Sequence, residues 1–301
     1  MAKLKDPYGK GSWILRIAIL GLIFVLGYSI MYPRQLWEQE ARNLQLGRYR
    51  MSQLYNAELQ YQRFNTTFTD TMDQLLDFVK TDTNYHHLID SMVVRPIQKS
   101  LNDLDTLRQI QTIADNLINT ATDSAVADSV EGLEDRVTAR SRDLRNLLEA
   151  VRERMLGFPV LPVPTFDQGL EIIERKDYFL KMEVVRRMVA EVGDLKLAQA
   201  ASQQVLTNID SIDHHMRRSI RAIRDFPANV DSLRLCPTIG RPYKIALEDS
   251  GVFRFVNVRC PIDSEDVQKV EANFLISKVG AFKLENHGSI VRNEKSWEER
   301  K

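Results

Sequence analysis

The order of apolar and polar positions divides the chain into a long apolar run, several helix-like blocks and a short strand-like region. The apolar run, WILRIAILGLIFVLGYSIMY, extends from Trp13 to Tyr32. At about 1.5 Å of rise per residue, a helix of this length crosses the roughly 30 Å hydrocarbon core of a bilayer. Arg16 is its one charge and lies near an end, where its stem lets the guanidinium reach the headgroups. Trp13 stands at one boundary, with Tyr28, Tyr32 and Trp37 towards the other, as in interfacial aromatic belts. The pattern predicts a transmembrane helix over 13–32, with Pro33 at its exit. The run exceeds the roughly 7–15 apolar residues of a cleaved signal peptide, and no A-x-A-like site follows it. An uncleaved signal anchor is expected.

Beyond Pro33 the spacing becomes helical. Residues 35–64 contain no proline, and Leu44, Met51, Leu54, Tyr55, Leu59 and Tyr61 supply a broad apolar face, interrupted only mildly by Gly47. Asn65-Thr66-Thr67 breaks this stalk, and Met72, Leu75, Leu76 and Val79 predict a short helix capped by Thr69 or Asp70. After Pro96, apolar residues from Ile97 through Leu101, Leu104, Leu107, Ile110 and Ile113 to Leu117 recur every three or four positions. A further block runs from about Ser124 to Met155, where Val126, Val130, Leu133, Val137, Leu144, Leu147 and Val151 follow an a/d rhythm broken at Arg140. The connection TATDSAVADS is short and acidic, so these blocks predict an antiparallel helical hairpin, with an oligomeric coiled coil as the alternative. Residues 33–156 thus read as a stalk and hairpin.

GFPVLPVPTF, residues 157–166, carries three prolines and predicts an extended connector packed against the helices rather than a polyproline ligand. A second helical region is expected over 167–225, with Gly193-Asp194 as a hinge and MRRSIRAIR as a solvated basic face.

From Pro227 the pattern changes to turns and strands. Tyr243 to Leu247 and Val252 to Val258 read as two strands joined by Glu248-Asp249-Ser250-Gly251. Cys236-Pro237 and Cys260-Pro261 then share the open end of the hairpin, which predicts a Cys236–Cys260 disulfide within a small β-containing element over 226–286. Metal binding would have to recruit His86, His87, His214, His215 or His287, whose spacing matches no established ligand motif, and a redox pair would ordinarily be closer in sequence. Residues 287–301 read as a polar tail, frayed unless a partner orders it.

Composition narrows the function. Lys and Arg total 41 against 41 Asp and Glu, so no global positive field favours nucleic acid. A mean hydropathy of −0.30 hides the apolar run behind charge-laced helices. No Walker A, G-x-S-x-G, H-E-x-x-H or Rossmann glycine motif occurs. The pairs His86-His87 and His214-His215 would point about 100° apart on a helix. No catalytic residue, cofactor or metal is expected.

The order of apolar run, helical stalk and YNAELQYQRFNTTFTDTMDQLLDFV resembles the post-membrane region of pilin-like and pseudopilin-like envelope proteins. FPANVDSLRLCPTIGRPYKI is similar to the C-P-x-x-G-x-x-Y segment found in some of them. The resemblance covers residues 13–80 and 226–262 and implies a single-pass protein of a bacterial envelope. The chain departs from a type IV prepilin: Gly11-Ser12-Trp13-Ile14-Leu15 is followed by Arg16, there is no peptidase site, and the apolar run contains no glutamate.

Lys3, Lys5, Lys10 and Arg16 on one side of the run are nearly balanced by Arg34, Arg42, Arg48 and Arg50 on the other. A short N-terminus and cysteines suited to an oxidising compartment favour residues 1–12 in the cytoplasm and the bulk of the chain outside the bacterial inner membrane. The expected fold is mainly α. The expected function is that of a membrane-anchored structural or assembly subunit, contacting the lipid bilayer and other envelope proteins or a second copy through its helices. An exoplasmic sensor working with a membrane partner is the alternative.

Overall fold

The structure is a computed structural model that describes residues 12–120, 127–174, 195–251, 254–292 and 294–298. The N-terminal bases at positions 3, 5 and 10, most of the connection within TATDSAVADS and the Gly193-Asp194 hinge lie outside the described residues. The described residues are mainly α-helical, with a small antiparallel sheet near the C-terminus. The first helix, α1, is continuous from Ser12 to Asn65 and contains Pro33. One described helix is long and apolar enough to cross a membrane, and none of its apolar window, of mean hydropathy 2.0, is buried. Just beyond Pro33, Arg34 and Glu38 pair one turn apart at 2.7 Å.

The chain forms two compact units, Met1–Tyr55 with Leu233–Lys301, and Asn56–Ser232. The first contains a four-stranded antiparallel meander: β1, Lys244–Asp249; β2, Arg254–Arg259; β3, Ser289–Val291; and β4, Glu294–Lys295. Lys244 pairs with Arg259 and Asp249 with Arg254, so the expected hairpin forms, with the first strand shifted to run from Lys244 to Asp249 and the second reaching Arg259; Val252, its expected start, lies outside the described residues. Asp249 Oδ1 accepts the Gly251 N–H at 2.8 Å, closing a turn in which Gly251 has φ +80°. Within the expected polar tail, Ser289–Val291 and Glu294–Lys295 are instead strands of the sheet. Ser289 pairs with Arg259, and the Arg48 guanidinium lies 5.6 Å from the Trp297 ring, so backbone pairing and a cation–π contact order residues that polarity alone would leave frayed.

The second unit is helical. It includes α2, Met72–Thr81; α3, Thr83–Ile89; a π-turn, Asp90–Val94; α4, Arg95–Thr120; α5, Ala127–Leu156; α6, Val163–Glu174; and α7, Leu195–Arg224. Helices α4 and α6 each pack against both α5 and α7. Arg140 reaches Asp103 at 3.7 Å, and Arg154 donates to the Met92 carbonyl at 3.4 Å, so α4 and α5 form the expected antiparallel hairpin. Arg108 pairs with Asp210 at 3.0 Å, and Gln203 donates to Asp115 at 2.8 Å, running α7 antiparallel to α4.

The apolar stripes meet inside this bundle. Leu104 and Leu107, Leu144 and Leu148, Phe166, and Ile209 and Ile212 are all buried, each worth roughly 1.5–3 kcal/mol of transfer free energy. Leu148 takes the core position assigned from sequence to Leu147, and the stripe does not break at Arg140. It runs through Val137, the small buried Ser141, Leu144, Leu148 and Val151, leaving Arg140 free to turn towards Asp103. At Gly169, a Cβ would come within 2.5 Å of Met216 Cε and 3.0 Å of His215 Cβ, so the missing side chain permits the close approach of α6 to α7.

Two local expectations are corrected. The proline-rich connector is shorter than 157–166, because α6 begins at Val163. Pro164 sits in its first turn, where no intrahelical N–H donor is needed, and Phe166 already donates to the Pro162 carbonyl at 3.1 Å. Phe158, Leu161 and Phe166 are buried, as expected of a connector that packs against the helices. The N-cap of α2 is Thr71, and its side chain makes no capping bond. Thr69 Oγ1 instead accepts the Thr71 N–H at 3.1 Å, while the Thr69 N–H donates to Glu58 Oε2 at 3.1 Å.

Glu58 is fully buried, and its Oε1 has no hydrogen-bond partner. Burial, opposed by the Thr69 N–H and reinforced by Asp70, pushes its carboxyl up to about 8. In the unfolded chain the group titrates near the ordinary glutamate value of about 4.3. The folded state therefore holds the extra proton between those two values, and stability falls as pH rises through that window. Glu58→Gln, neutral at every pH, is expected to flatten this slope and to stabilise the protein by a few kcal/mol above pH 8. Denaturant unfolding across pH checks this; an unchanged slope contradicts a proton held on Glu58.

Candidate functional site

The two cysteines are placed by turns rather than by strand interiors. Leu235 bridges to Pro242, the Cys236 N–H donates to the Arg241 carbonyl at 2.8 Å, and the Gly240 N–H returns to the Cys236 carbonyl at 2.9 Å. Gly240 closes this turn with φ +66°, in the left-handed region that favours glycine. Pro237 has no N–H to offer, and the backbone N–H groups of Thr238 and Ile239 point to Cys236 Sγ. Cys260 follows β2 directly, and its N–H donates to the Gly288 carbonyl at 3.1 Å. Its Sγ accepts the N–H groups of Ile262 and His287. The β2–β3 pairing, Arg259 with Ser289, continues to Cys260 opposite Gly288 and so brings the neighbouring His287 to the cysteine.

Cys236, Cys260 and His287 consequently converge. Their two sulfur atoms and one imidazole nitrogen all lie within 4.8 Å of one another, and the residues are 1%, 5% and 1% exposed. The expected disulfide is not formed: both cysteines are free, buried thiols. The hairpin brings the sulfur atoms together as the strand pattern predicts, but they share a hydrogen bond and His287 completes a three-cornered group.

The imidazole is held from several sides. Nε2 lies 2.8 Å from Glu40 Oε1 and 3.3 Å from Thr238 Oγ1, and Thr238 donates to Glu40 Oε2 at 3.0 Å. Arg48 Nε donates to the His287 carbonyl at 3.3 Å. The ring rests on α1 at Gly47, where a Cβ would come within 2.5 Å of Nδ1, and Tyr243 Oη donates to the Gly47 carbonyl at 3.3 Å. Nδ1 is buried without a hydrogen-bond partner.

The electrostatics follow from these contacts. The hydrogen bond from Cys260 lowers the Cys236 thiol against the opposing effect of burial, with His287 and the turn N–H groups adding to the lowering. The same bond and burial raise Cys260. Burial would lower His287, but the adjacent Cys236 sulfur and Glu40 carboxylate outweigh that and raise it. Burial and the neighbouring cysteines raise Tyr243. The group thus favours one thiolate beside a protonated imidazole, with a second thiol donating to the thiolate.

The expected membrane-interface residues form a separate set. Trp13, Tyr28 and Trp37 are 62%, 52% and 54% exposed, Arg16 is exposed, and Tyr32 stacks on Tyr28 with ring centroids 5.4 Å apart. Trp37 also lines a cavity of about 250 Å³ with Glu40, Leu44, Arg48, Phe282 and His287. The other histidines belong to the helical unit, where His86 contacts the Val79 carbonyl and His214 and His215 contact each other.

Sequence spacing missed Glu40, Gly47 and Thr238, and named His287 only as one of five histidines that a metal site would have to recruit. The glycine in an otherwise helix-favouring stretch was a weak signal, and the CPTIG turn a stronger one, but nothing local marked the histidine. Comparison with protein-family models, curated proteins and solved structures finds no match to the chain.

Alanine ordinarily improves a helix over glycine by about 1 kcal/mol. Gly47→Ala should reverse that sign and destabilise the protein by roughly 1–3 kcal/mol, because the new methyl group displaces His287. Gly132 on α5, where a Cβ meets nothing within 4 Å, is the control and should gain stability as alanine. Thermal unfolding of both variants in detergent checks the pair of signs; stabilisation in both contradicts the seat at Gly47.

Proposed function

We propose that this chain is a single-pass, membrane-anchored structural or assembly subunit of a bacterial envelope complex, acting through protein–protein contacts. The observation that carries the reading is the wholly exposed apolar window of α1, with Phe24 and Ile30 76% and 72% exposed. Left in water, these side chains would forfeit roughly 1.5–3 kcal/mol apiece, a cost that a bilayer removes. The aromatic residues at 13, 28, 32 and 37 mark the two interfaces, and Arg34 and Glu38 begin the aqueous stretch.

A second apolar feature supports the same level for the bilayer surface. Phe274 and Leu275 are 68% and 56% exposed in the turn that leads to Gly280. A Cβ on Gly280 would come within 2.7 Å of Leu36 Cδ1, so this turn lies beside α1 just past Pro33. Phe274 and Leu275 then contact the headgroup region, with Lys278 and Lys283 available to lipid phosphates.

The helical unit offers charge-laced helices to a partner. The pilin-like order of span, stalk and cysteine-bearing turn is consistent with such a subunit, and the positioning of partners is its mechanism.

Carbonate washing of membranes should leave the full-length chain in the pellet, while Leu22→Arg with Phe24→Arg should release it. Affinity capture in mild detergent should return a stoichiometric complex. Release of the unaltered chain overturns the anchor, and recovery of a lone monomer overturns the assembly role.

A further inference from the structure

We infer that Cys236, Cys260 and His287 form a binding site for one thiophilic metal ion, zinc, per chain. The proposal does not depend on the assembly reading. Three side chains of the ligand types that zinc favours converge in one buried group, from a turn, a strand end and the residue leading to β3. Tetrahedral zinc with bonds of about 2.3 Å to sulfur and about 2.0 Å to nitrogen separates its ligand atoms by roughly 3.5–3.8 Å. The spacing within 4.8 Å is therefore close to what an ion would impose, and small side-chain rotations close the difference.

The surroundings are those of a ligand set rather than of a packed core. His287 turns Nε2 to Glu40 at 2.8 Å, while Nδ1 is buried and unpartnered. A carboxyl group on one imidazole nitrogen is the usual means of orienting a metal-bound histidine and making its other nitrogen a better donor. Nδ1 is thus the ligating atom, and Gly47 provides the space in which the ring adopts this pose. Both sulfur atoms accept backbone N–H groups, which stabilise thiolate without competing for the metal. The prolines after each cysteine keep the next backbone nitrogen from donating, and the following N–H groups turn inwards instead.

Two other uses of the group fit less well. A nucleophilic thiolate activated by histidine needs substrate access, yet Cys236 and His287 are each only 1% exposed. A simple disulfide would not require a buried, oriented imidazole at the third corner. Three protein ligands leave the fourth tetrahedral position to water or an exchangeable group. Binding fastens the C-terminal sheet to the turn at Cys236 and, through His287, to α1.

Full-length protein, solubilised and purified under reducing conditions, should retain close to one zinc per chain by elemental analysis. After chelation, titration with Co²⁺ should produce thiolate charge-transfer and tetrahedral ligand-field bands that saturate at one equivalent and are displaced by Zn²⁺. The Cys236→Ser and Cys260→Ser variants should lose the charge-transfer band in proportion to the sulfurs removed, and His287→Ala should abolish tight binding. Glu40→Gln, which keeps an oxygen acceptor at that position, should weaken zinc about 10–100-fold while leaving the bands in place. The wild-type titration alone suffices to overturn the proposal. Absence of these bands, saturation unaltered by loss of both cysteines, or a Cys236–Cys260 cross-linked peptide that persists in unreduced protein from cells would each do so.

Discussion

An imidazole ring pressed against bare helical backbone governs the arrangement of the unit that contains α1 and the sheet. His287 cannot lie where it does unless α1 lacks a side chain at Gly47, since a Cβ there would come within 2.5 Å of Nδ1. Nor can it be buried unless its polar edge is met, which Glu40 and Thr238 accomplish. Glycine costs the helix about 1 kcal/mol relative to alanine, and the contacts it permits offset that loss. Through this one seat, strand pairing at β2 and β3, the turn that begins at Cys236 and the path of α1 become mutually dependent. The two thiols and the imidazole form a single polar cluster, held in place by the Glu40 carboxyl group.

The helical unit is governed by a different constraint, continuity of its apolar stripes. Each of the four packed helices contributes residues spaced by three and four, and interruptions are handled by size rather than by polarity. Ser141 occupies a core position because it is small, Gly169 because nothing larger fits against Met216 and His215. Charged groups between the helices, such as Arg108 with Asp210, are partly exposed and set alignment more than they add stability. Glu58 is a buried carboxyl whose cost is reduced by holding its proton and accepting one backbone N–H.

The large elements were legible because each is encoded locally. The apolar run from Trp13 to Tyr32, the helical spacing either side of TATDSAVADS and the alternation around Glu248-Asp249-Ser250-Gly251 are periodicities of adjacent residues. They reappear as α1, the α4–α5 hairpin and the β1–β2 pair. The errors fell where local rules compete. Proline at 164 breaks a helix interior but suits a first turn, and Leu147 and Leu148 are equally apolar, so composition does not say which of two positions about 100° apart faces the core. The polar tail after Asn286 carries little apolar signal, so its pairing with β2 was invisible until that strand was in place.

The cysteine group shows the same division most sharply. Sequence by itself determined that Cys236 and Cys260 meet, because a hairpin's two ends are close by construction. It also determined the tight turn, through Pro237 and Gly240. Only the tertiary structure decided what they meet with. His287 arrives by strand pairing, Glu40 and Gly47 by the packing of a helix far away in the chain, and no spacing rule links those positions. Local patterns specify which backbone hydrogen bonds form, whereas the chemistry of a buried site depends on which distant side chains the completed packing brings into contact.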